Sequence, residues 1–184
     1  MSEIRVESSL RVYDGRLSSV RVDHVRFADG SSADREVVEH PDAVAVVALD
    51  DEGRVVLLEQ YRHAVGRRLL ELPAGKLDQE GEAPQAAALR ELHEETGLRA
   101  GRVDALLRYH SSAGWTDEST TLYIADDLSD AGVPEGFVAA HEEADMQVRR
   151  VPLDEAVAMV AAGEIADAKT IIGILLVRLQ RGVH

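Results

Sequence analysis

The sequence predicts an α/β (α+β) fold in which an N-terminal antiparallel β meander precedes a larger region of strands and helices. Residues 4–40 alternate apolar and polar side chains between turn signals, which is typical of short paired strands. Residues 43–49 are almost entirely apolar, as expected of a strand buried on both faces. Helical patterns with capping signals follow further along the chain. The predicted helices span residues 83–96, 153–162 and 167–181.

The order of these elements divides the chain into two predicted parts. A length of 184 residues suits one domain with a small appendage. We therefore assign residues 1–40 to the meander and residues 41–184 to the main domain. In the main domain, Pro84 suits the first turn of its helix and Gly97 suits its C-terminal cap. Further strands are predicted near residues 54–62, 102–110, 120–125 and 145–151.

The composition limits the classes of partner. The 20 Lys and Arg residues against 34 Asp and Glu residues give a net charge of −14, so we expect no nucleic-acid partner. A polyphosphate substrate would need cations to offset this charge, although a well-solvated surface explains it equally well. The absence of cysteine excludes disulfides, thiolate metal sites and a cysteine nucleophile. Without a signal-peptide pattern or a long apolar run, we expect a cytoplasmic protein that has no membrane partner.

Three glutamates, Glu91, Glu94 and Glu95, lie close together near the end of the helix predicted over residues 83–96. At about 100° per residue they share one face, where like charges weaken an isolated helix. The helix dipole also disfavours anions at this C-terminal end. One interpretation is an ordinary solvated acidic face. The other is a site for a hard cation such as Mg²⁺, which prefers oxygen ligands and would offset the repulsion.

The segment that contains these glutamates resembles the Nudix box. That box has a glycine, five residues, a glutamate, seven residues, and then Arg-Glu, an apolar residue, any residue, Glu-Glu, any residue, a glycine and an apolar residue. Glu82 and residues 90–98 match every specified position. Six residues rather than five separate Gly75 from Glu82, and a polar glycine-containing loop tolerates such an insertion at small cost.

The resemblance implies a mixed β-sheet sandwiched between helices, with the box forming a loop, a helix and a second loop. It also implies a set of metal ligands. Glu91 and Glu95 are similar to the principal Mg²⁺ ligands of the family, and Glu94 is similar to the residue that assists them. The carbonyl of Ala74 is implied as a further ligand. Mn²⁺ is expected to substitute for Mg²⁺.

Two more residues of the box are implied to organise this site. Arg90 is similar to the residue that orients the glutamates, so it joins Glu94 among the candidate catalytic residues. Glu82 is similar to a residue that supports the loop or contacts the metal from outside its ligands.

The resemblance extends to the ADP-ribose pyrophosphatase branch of the family. Residues 59–62, Glu-Gln-Tyr-Arg, and residues 71–75, Glu-Leu-Pro-Ala-Gly, are similar to that branch, as is a strand meander ahead of the core. In that branch the meander is exchanged or packed across a two-fold dimer that shares its active sites, so we expect a homodimer. Arg62 is a candidate for binding a substrate phosphate, or equally an ordinary surface arginine at the end of a strand.

Residues 111–118 are similar to a substrate loop of the same branch. Ala113 stands where the branch carries a proline associated with ADP-ribose preference, so a related nucleoside diphosphate (NDP) sugar stays open as the substrate. Trp115 and Glu118 are candidate substrate-binding residues. Tryptophan is also a common packing residue, which is the alternative interpretation of Trp115.

The catalytic base is predicted in the loop before the last strand. The branch carries a mobile-loop glutamate there, and Glu143 or Glu142 corresponds to it, with Glu143 preferred. Gly132, Pro134 and Gly136 precede them, as suits a loop that closes over substrate. A solvated acidic loop is the alternative interpretation.

These features predict a Mg²⁺-dependent hydrolase that cleaves the pyrophosphate of ADP-ribose or a related NDP-sugar to AMP, or another NMP, and a sugar phosphate. Cations would neutralise the phosphate oxygens, and a glutamate would take the proton of the attacking water. Two alternatives stay open. One is a Nudix hydrolase of a dinucleoside polyphosphate or a modified nucleotide, and the other is a module that senses ADP-ribose without cleaving it.

Overall fold

The computed structural model describes residues 4–136 and 145–182. Its chain divides into two compact units. The first contains residues up to Asp42 together with His110–Ser119, and the second contains Ala43–Tyr109 and the chain from Thr120 onwards. Among the described residues, no helix is both long and apolar enough to cross a membrane.

The first unit is built on the antiparallel meander that the alternating pattern predicts. Its strands β1 (Arg5–Asp14), β2 (Ser19–Arg26) and β3 (Ser32–Glu39) form a three-stranded sheet in the order β1-β2-β3. β2 is central, pairing antiparallel with both neighbours. β1 is an edge strand that has a neighbour on one side only, and every one of its residues is exposed.

The second unit holds a mixed sheet, a three-stranded sheet and the helices. The strands are β4 (Ala43–Ala48), β5 (Arg54–Arg62), β6 (Arg67–Glu71), β7 (Ala74–Lys76), β8 (Leu98–His110), β9 (Ser119–Asp130) and β10 (Gln147–Pro152). The helices are α1 (Pro84–Thr96), α2 (Leu153–Ala162) and α3 (Ala168–Arg181), with a short 3₁₀ helix at His63–Val65. One sheet has the order β7-β4-β9-β8 and the other β10-β5-β6. β4 runs parallel to β9 and antiparallel to β7, so the first of these sheets is mixed.

β4 lies at the centre of the core, which explains its apolar sequence. Ala45 and Val47 face one apolar cluster with residues of α2 and α3. Val44 and Val46 face a second cluster with residues of α1. Both faces of the strand are therefore covered by helices, and each buried valine contributes roughly 1.5–3 kcal/mol of hydrophobic stabilisation.

Three strands differ most from the prediction. β8 begins at Leu98, directly after the helix cap, and β9 continues to Asp130, so both are longer than predicted. β7 occupies Ala74–Lys76, which the sequence assigned partly to a glycine-rich loop. Three residues are too few to display the period-two pattern that identifies a strand.

Candidate metal and substrate site

Helix α1 positions the acidic residues, and its ends follow from the sequence. Pro84 occupies its first turn, where a missing N–H leaves nothing unpaired. Gly97 ends it in the left-handed conformation, φ 72°, and donates its N–H to the His93 carbonyl at 2.9 Å. Ala87, Ala88 and Leu92 bury one side of the helix in the core.

Arg90 joins the box loop to the glutamates of α1. Its Nε and Nη2 donate to the two carboxylate oxygens of Glu82, each at 3.0 Å. Its Nη1 donates to Glu91 at 2.7 Å and to Glu94 at 3.0 Å. One guanidinium therefore fixes three carboxylates, a geometry that suits the predicted orienting role of Arg90 and the loop-supporting role of Glu82.

The carboxylates of Glu91 and Glu95 lie against strand β7. Glu95 Oε2 accepts a hydrogen bond from the Ala74 N–H at 2.9 Å. A Cβ atom added to Gly75 would stand 2.0 Å from the Glu91 carboxyl carbon, so any larger residue would force the Glu91 side chain to move. The glycine at the start of the box thus allows the Glu91 carboxylate to approach the strand closely.

This placement is unfavourable for two anions. Burial raises the pKa of Glu95 to about 8, and repulsion from Glu91 adds to the increase, although the Ala74 N–H opposes it. Burial also raises the pKa of Glu91 above its ordinary value, and Arg90 opposes that shift. A cation bound between these oxygens would remove the penalty that raises both values.

The donor chemistry fits a hard divalent cation that keeps other ligands. Among residues 4–136 and 145–182, no three or more His, Cys, Asp or Glu side chains form a ready-made metal cage. Mg²⁺ needs only one or two carboxylates, because water and substrate phosphates complete its octahedral shell. The role of the Ala74 carbonyl as a further metal ligand stays a prediction. The Ala74 N–H is already bonded to Glu95.

Next to this site lies a partly buried ionic cluster, in which Arg62 contacts the buried Glu71. The Arg62 guanidinium donates through Nε and Nη2 to both oxygens of Glu71, each at 2.7 Å. Glu71 is 1% exposed and also contacts Lys169 Nζ, which donates to Asp167 at 3.0 Å. Burial raises the pKa of Glu71, but Arg62 and Lys169 outweigh it and hold that pKa below the ordinary value. Two nitrogens of Arg62 are therefore committed to Glu71, and its phosphate contact stays a prediction.

The predicted substrate loop belongs to the first compact unit. The Val38 N–H donates to the Trp115 carbonyl at 2.7 Å, which fastens the loop to β3. His40 Nδ1 lies 3.1 Å from a carboxylate oxygen of Glu118. The Trp115 side chain is 58% exposed, so within the described chain it does not act as a core residue. The substrate contacts of Trp115 and Glu118 are untested by this geometry.

The candidate bases Glu142 and Glu143 lie outside the described residues. The chain that leads to them is anchored at the end of α1. The Ala131 N–H donates to the Gly97 carbonyl at 2.9 Å, and His93 Nε2 donates to the Gly132 carbonyl at 2.9 Å.

Comparison with known proteins decides the family. The profile of the NUDIX domain matches residues 39–172, which is most of the chain. The chain belongs to the Nudix family. The resemblance found in residues 75–98 is therefore confirmed. The family generally uses a divalent metal, which agrees with the donor set on α1.

Relatives of this Nudix chain carry names from the predicted branch. An ADP-ribose pyrophosphatase of Mycobacterium tuberculosis is 46% identical over 92% of this chain and 81% of its own length. An ADP-ribose pyrophosphatase of Bacillus subtilis is 35% identical over 95% of this chain and 92% of its own length. A crystal structure of an ADP compounds hydrolase superposes with a TM-score of 0.85 at 22% identity, covering 98% of this chain and 95% of that one. The last comparison confirms the predicted fold class.

The sequence does not reveal the residues that hold the segment between β6 and β7. In the sequence, Glu71 stands out only as part of the motif over residues 71–75, and no pattern singles out Lys169 or Thr170. Asp167 is an N-cap type of residue at the start of the helix predicted over residues 167–181, and this is the one local signal in the sequence. Their contacts with the β6–β7 segment depend on the tertiary fold.

Proposed function

We propose that this Nudix protein hydrolyses the pyrophosphate of ADP-ribose, or of a related NDP-sugar, to AMP or another NMP and a sugar phosphate. The observation that carries the proposal is the pair Glu91 and Glu95, held against β7 where their negative charge is costly without a cation. The ADP-ribose pyrophosphatases named above, which align over nearly the whole chain, support the choice of substrate class.

Mg²⁺ is the proposed cofactor, with Mn²⁺ as a substitute. Glu91 and Glu95 would hold it, Glu94 would assist, and the Ala74 carbonyl would contribute a further oxygen. When bound, the cation neutralises phosphate oxygens and lowers the pKa of the attacking water. Oxygen donors on a rigid helix support this choice, because Mg²⁺ binds oxygen ligands and retains water.

The other proposed roles belong to this chain's own side chains. Arg90 keeps Glu91 and Glu94 in place through the hydrogen bonds described above. Glu143 accepts the proton of the attacking water, with Glu142 as the alternative base. The substrate itself is proposed to bind to Arg62, Trp115 and Glu118.

A homodimer in the cytoplasm is proposed as the working form, with a small molecule rather than a nucleic acid or a membrane as its partner. β1 supports the dimer, because an edge strand with exposed apolar side chains is a surface that a second copy can cover. Those side chains include Val6, Leu10, Val12 and Tyr13, each at least 55% exposed. The lack of cysteine supports the location.

A substrate panel tests the proposal. Purified protein is incubated with ADP-ribose, a GDP-sugar, a dinucleoside tetraphosphate and an oxidised nucleoside triphosphate, in Mg²⁺ or in EDTA, and products are separated by ion-exchange chromatography. We expect AMP and ribose 5-phosphate from ADP-ribose in Mg²⁺ only, and loss of this activity in Glu95→Gln.

Two results would replace the proposal. Faster turnover of the tetraphosphate or the oxidised nucleotide would assign the chain to another Nudix substrate. Tight ADP-ribose binding without turnover, in Mg²⁺ and in Mn²⁺, would assign it to the sensing class.

A further inference from the structure

The segment over residues 71–74, which joins β6 to β7, is fixed at every residue. The Leu72 N–H donates to Thr170 Oγ1 at 2.9 Å. The Pro73 carbonyl accepts from the Val46 N–H at 2.9 Å. The Ala74 N–H then donates to Glu95 at 2.9 Å. The backbone thus connects α3 to the metal site of α1 within three residues.

Thr170 holds this segment in a single orientation. Its side chain is completely buried. Its hydroxyl donates to Asp167 Oδ2 at 2.6 Å, so the oxygen presents a lone pair to the Leu72 N–H. Asp167 is in turn fixed as the N-cap of α3, since it accepts the Thr170 N–H at 3.0 Å.

Lys169 holds the same segment by charge. Its ammonium contacts Glu71 and Asp167, and it is mostly buried between them. Because Glu71 is 1% exposed, its carboxylate needs both Lys169 and Arg62 as partners. The first turn of α3 therefore binds the segment at two points. Thr170 binds the backbone N–H of Leu72, and Lys169 binds the side chain of Glu71.

We propose that Asp167, Lys169 and Thr170 are positioning residues for the metal site, because they fix the segment that leads into β7, where Ala74 binds Glu95 and Gly75 packs against Glu91. This inference rests on the proposed metal-dependent function. Pro73 has no N–H, so Leu72 supplies the last backbone donor before Ala74. If that donor loses Thr170 it is buried without a partner, and the segment must move to satisfy it. Ala74 then moves with the segment, and Glu95 loses the hydrogen bond that fixes its carboxylate.

Thr170→Val is the sharpest test, because valine has nearly the same shape and lacks the hydroxyl. Thr170→Ser restores the hydroxyl and serves as the conservative rescue. Val177→Ala removes buried volume from the same helix and from the core cluster that includes Leu72, but it leaves the hydrogen bonds of the segment intact, so it controls for loss of stability alone. Lys169→Met gives a second, independent disturbance if Thr170→Val does not fold.

The measurement is Mn²⁺ binding to the substrate-free protein by isothermal titration calorimetry, at a temperature where circular dichroism shows every variant folded. Partners that orient metal ligands typically change metal affinity by about 10–100-fold. We expect Mn²⁺ affinity to fall about tenfold in Thr170→Val and in Lys169→Met. Thr170→Ser should stay within about threefold of the wild type, and Val177→Ala should match the wild type.

Mn²⁺ affinity in Thr170→Val equal to that in Val177→Ala would overturn the inference while leaving the proposed function intact. Absence of Mn²⁺ binding in the wild type would overturn both. The two failures are therefore distinguishable in one titration series.

Discussion

Replacing Glu95 by glutamine should stabilise the metal-free protein while removing its activity. The carboxylate is held in a partly buried position where its pKa is raised to about 8 from an ordinary 4.5. Glutamine has the same shape, carries no charge, and its carbonyl still accepts the Ala74 N–H. The variant thus removes both the cost of burying a negative charge and a proposed ligand of the cation.

The pKa difference sets the magnitude. A group whose folded pKa is raised contributes stability that is complete below about 4.5 and is lost as pH rises towards about 8. In the unfolded chain the carboxylate has its ordinary pKa of 4.5, so pH 7 lies about 2.5 pH units above that pKa. Each unit corresponds to about 1.4 kcal/mol of free energy. The upper bound is therefore about 3.5 kcal/mol. Solvent contact of the partly exposed side chain reduces this, and we expect a gain of about 1–2 kcal/mol in the variant.

The assay is thermal unfolding in EDTA from pH 5 to pH 8.5. For a chain of this length a gain of 1–2 kcal/mol raises Tm by about 2–8 °C. The difference between variant and wild type should grow with pH over that range. In saturating Mg²⁺ the wild type should regain the difference, because a ligand that binds only the folded state stabilises it. Turnover of ADP-ribose should fall by at least about a hundredfold.

Glu164→Gln is the matched control, since Glu164 is exposed just after α2 and its substitution removes the same charge outside the Nudix box. A Glu95→Gln variant that is less stable than the wild type in EDTA at pH 8 would refute the reasoning about burial. Retained turnover would refute the metal assignment.

Three further predictions concern the site and the assembly. Gly75→Ala should displace Glu91 and reduce kcat by at least about tenfold. Gly53→Ala is the control, because φ is 73° there and the space is open, so it should reduce only stability. Equal activity in both variants would contradict the importance of the close contact between Gly75 and Glu91. Glu143→Gln should lower kcat by about 10²–10⁴-fold with little change in KM, and Glu142→Gln should do less; the reverse ranking in steady-state kinetics would transfer the base to Glu142. Multi-angle light scattering should give a dimer mass, and a fully active monomer at micromolar concentration would exclude a shared site.

Elements with a periodic pattern could be predicted from the sequence, and those that depend on tertiary contacts could not. Helix α1 was predicted to within one residue, because Pro84, the box residues and Gly97 all specify the same ends. Strand β7 could not be predicted, because three residues are too few to show an alternating pattern of apolar and polar side chains. The same strand nevertheless contacts the side chains of Glu91 and Glu95.

The same division applies to the site. Glu91, Glu94 and Glu95 were found because helical spacing and a long motif place them together. The cluster of Glu71, Lys169 and Thr170 was not found, because it joins residues almost a hundred positions apart. No local pattern records a contact of that separation, and only the packing of α3 on the sheet brings it about.

The extra residue in the box loop is compatible with an intact site because the loop is fastened at both of its ends. At the first, Gly75 lies in β7 and packs against Glu91. At the second, Glu82 makes two hydrogen bonds to Arg90. Between them Gly81 adopts φ 79° with open space around it, a conformation that lets the chain turn without strain. Lengthening a flexible loop by one residue costs little free energy, so the loop between Gly75 and Glu82 can accommodate the insertion. The positions of the glutamate side chains depend on their contacts with Arg90 and Gly75 rather than on the length of this loop.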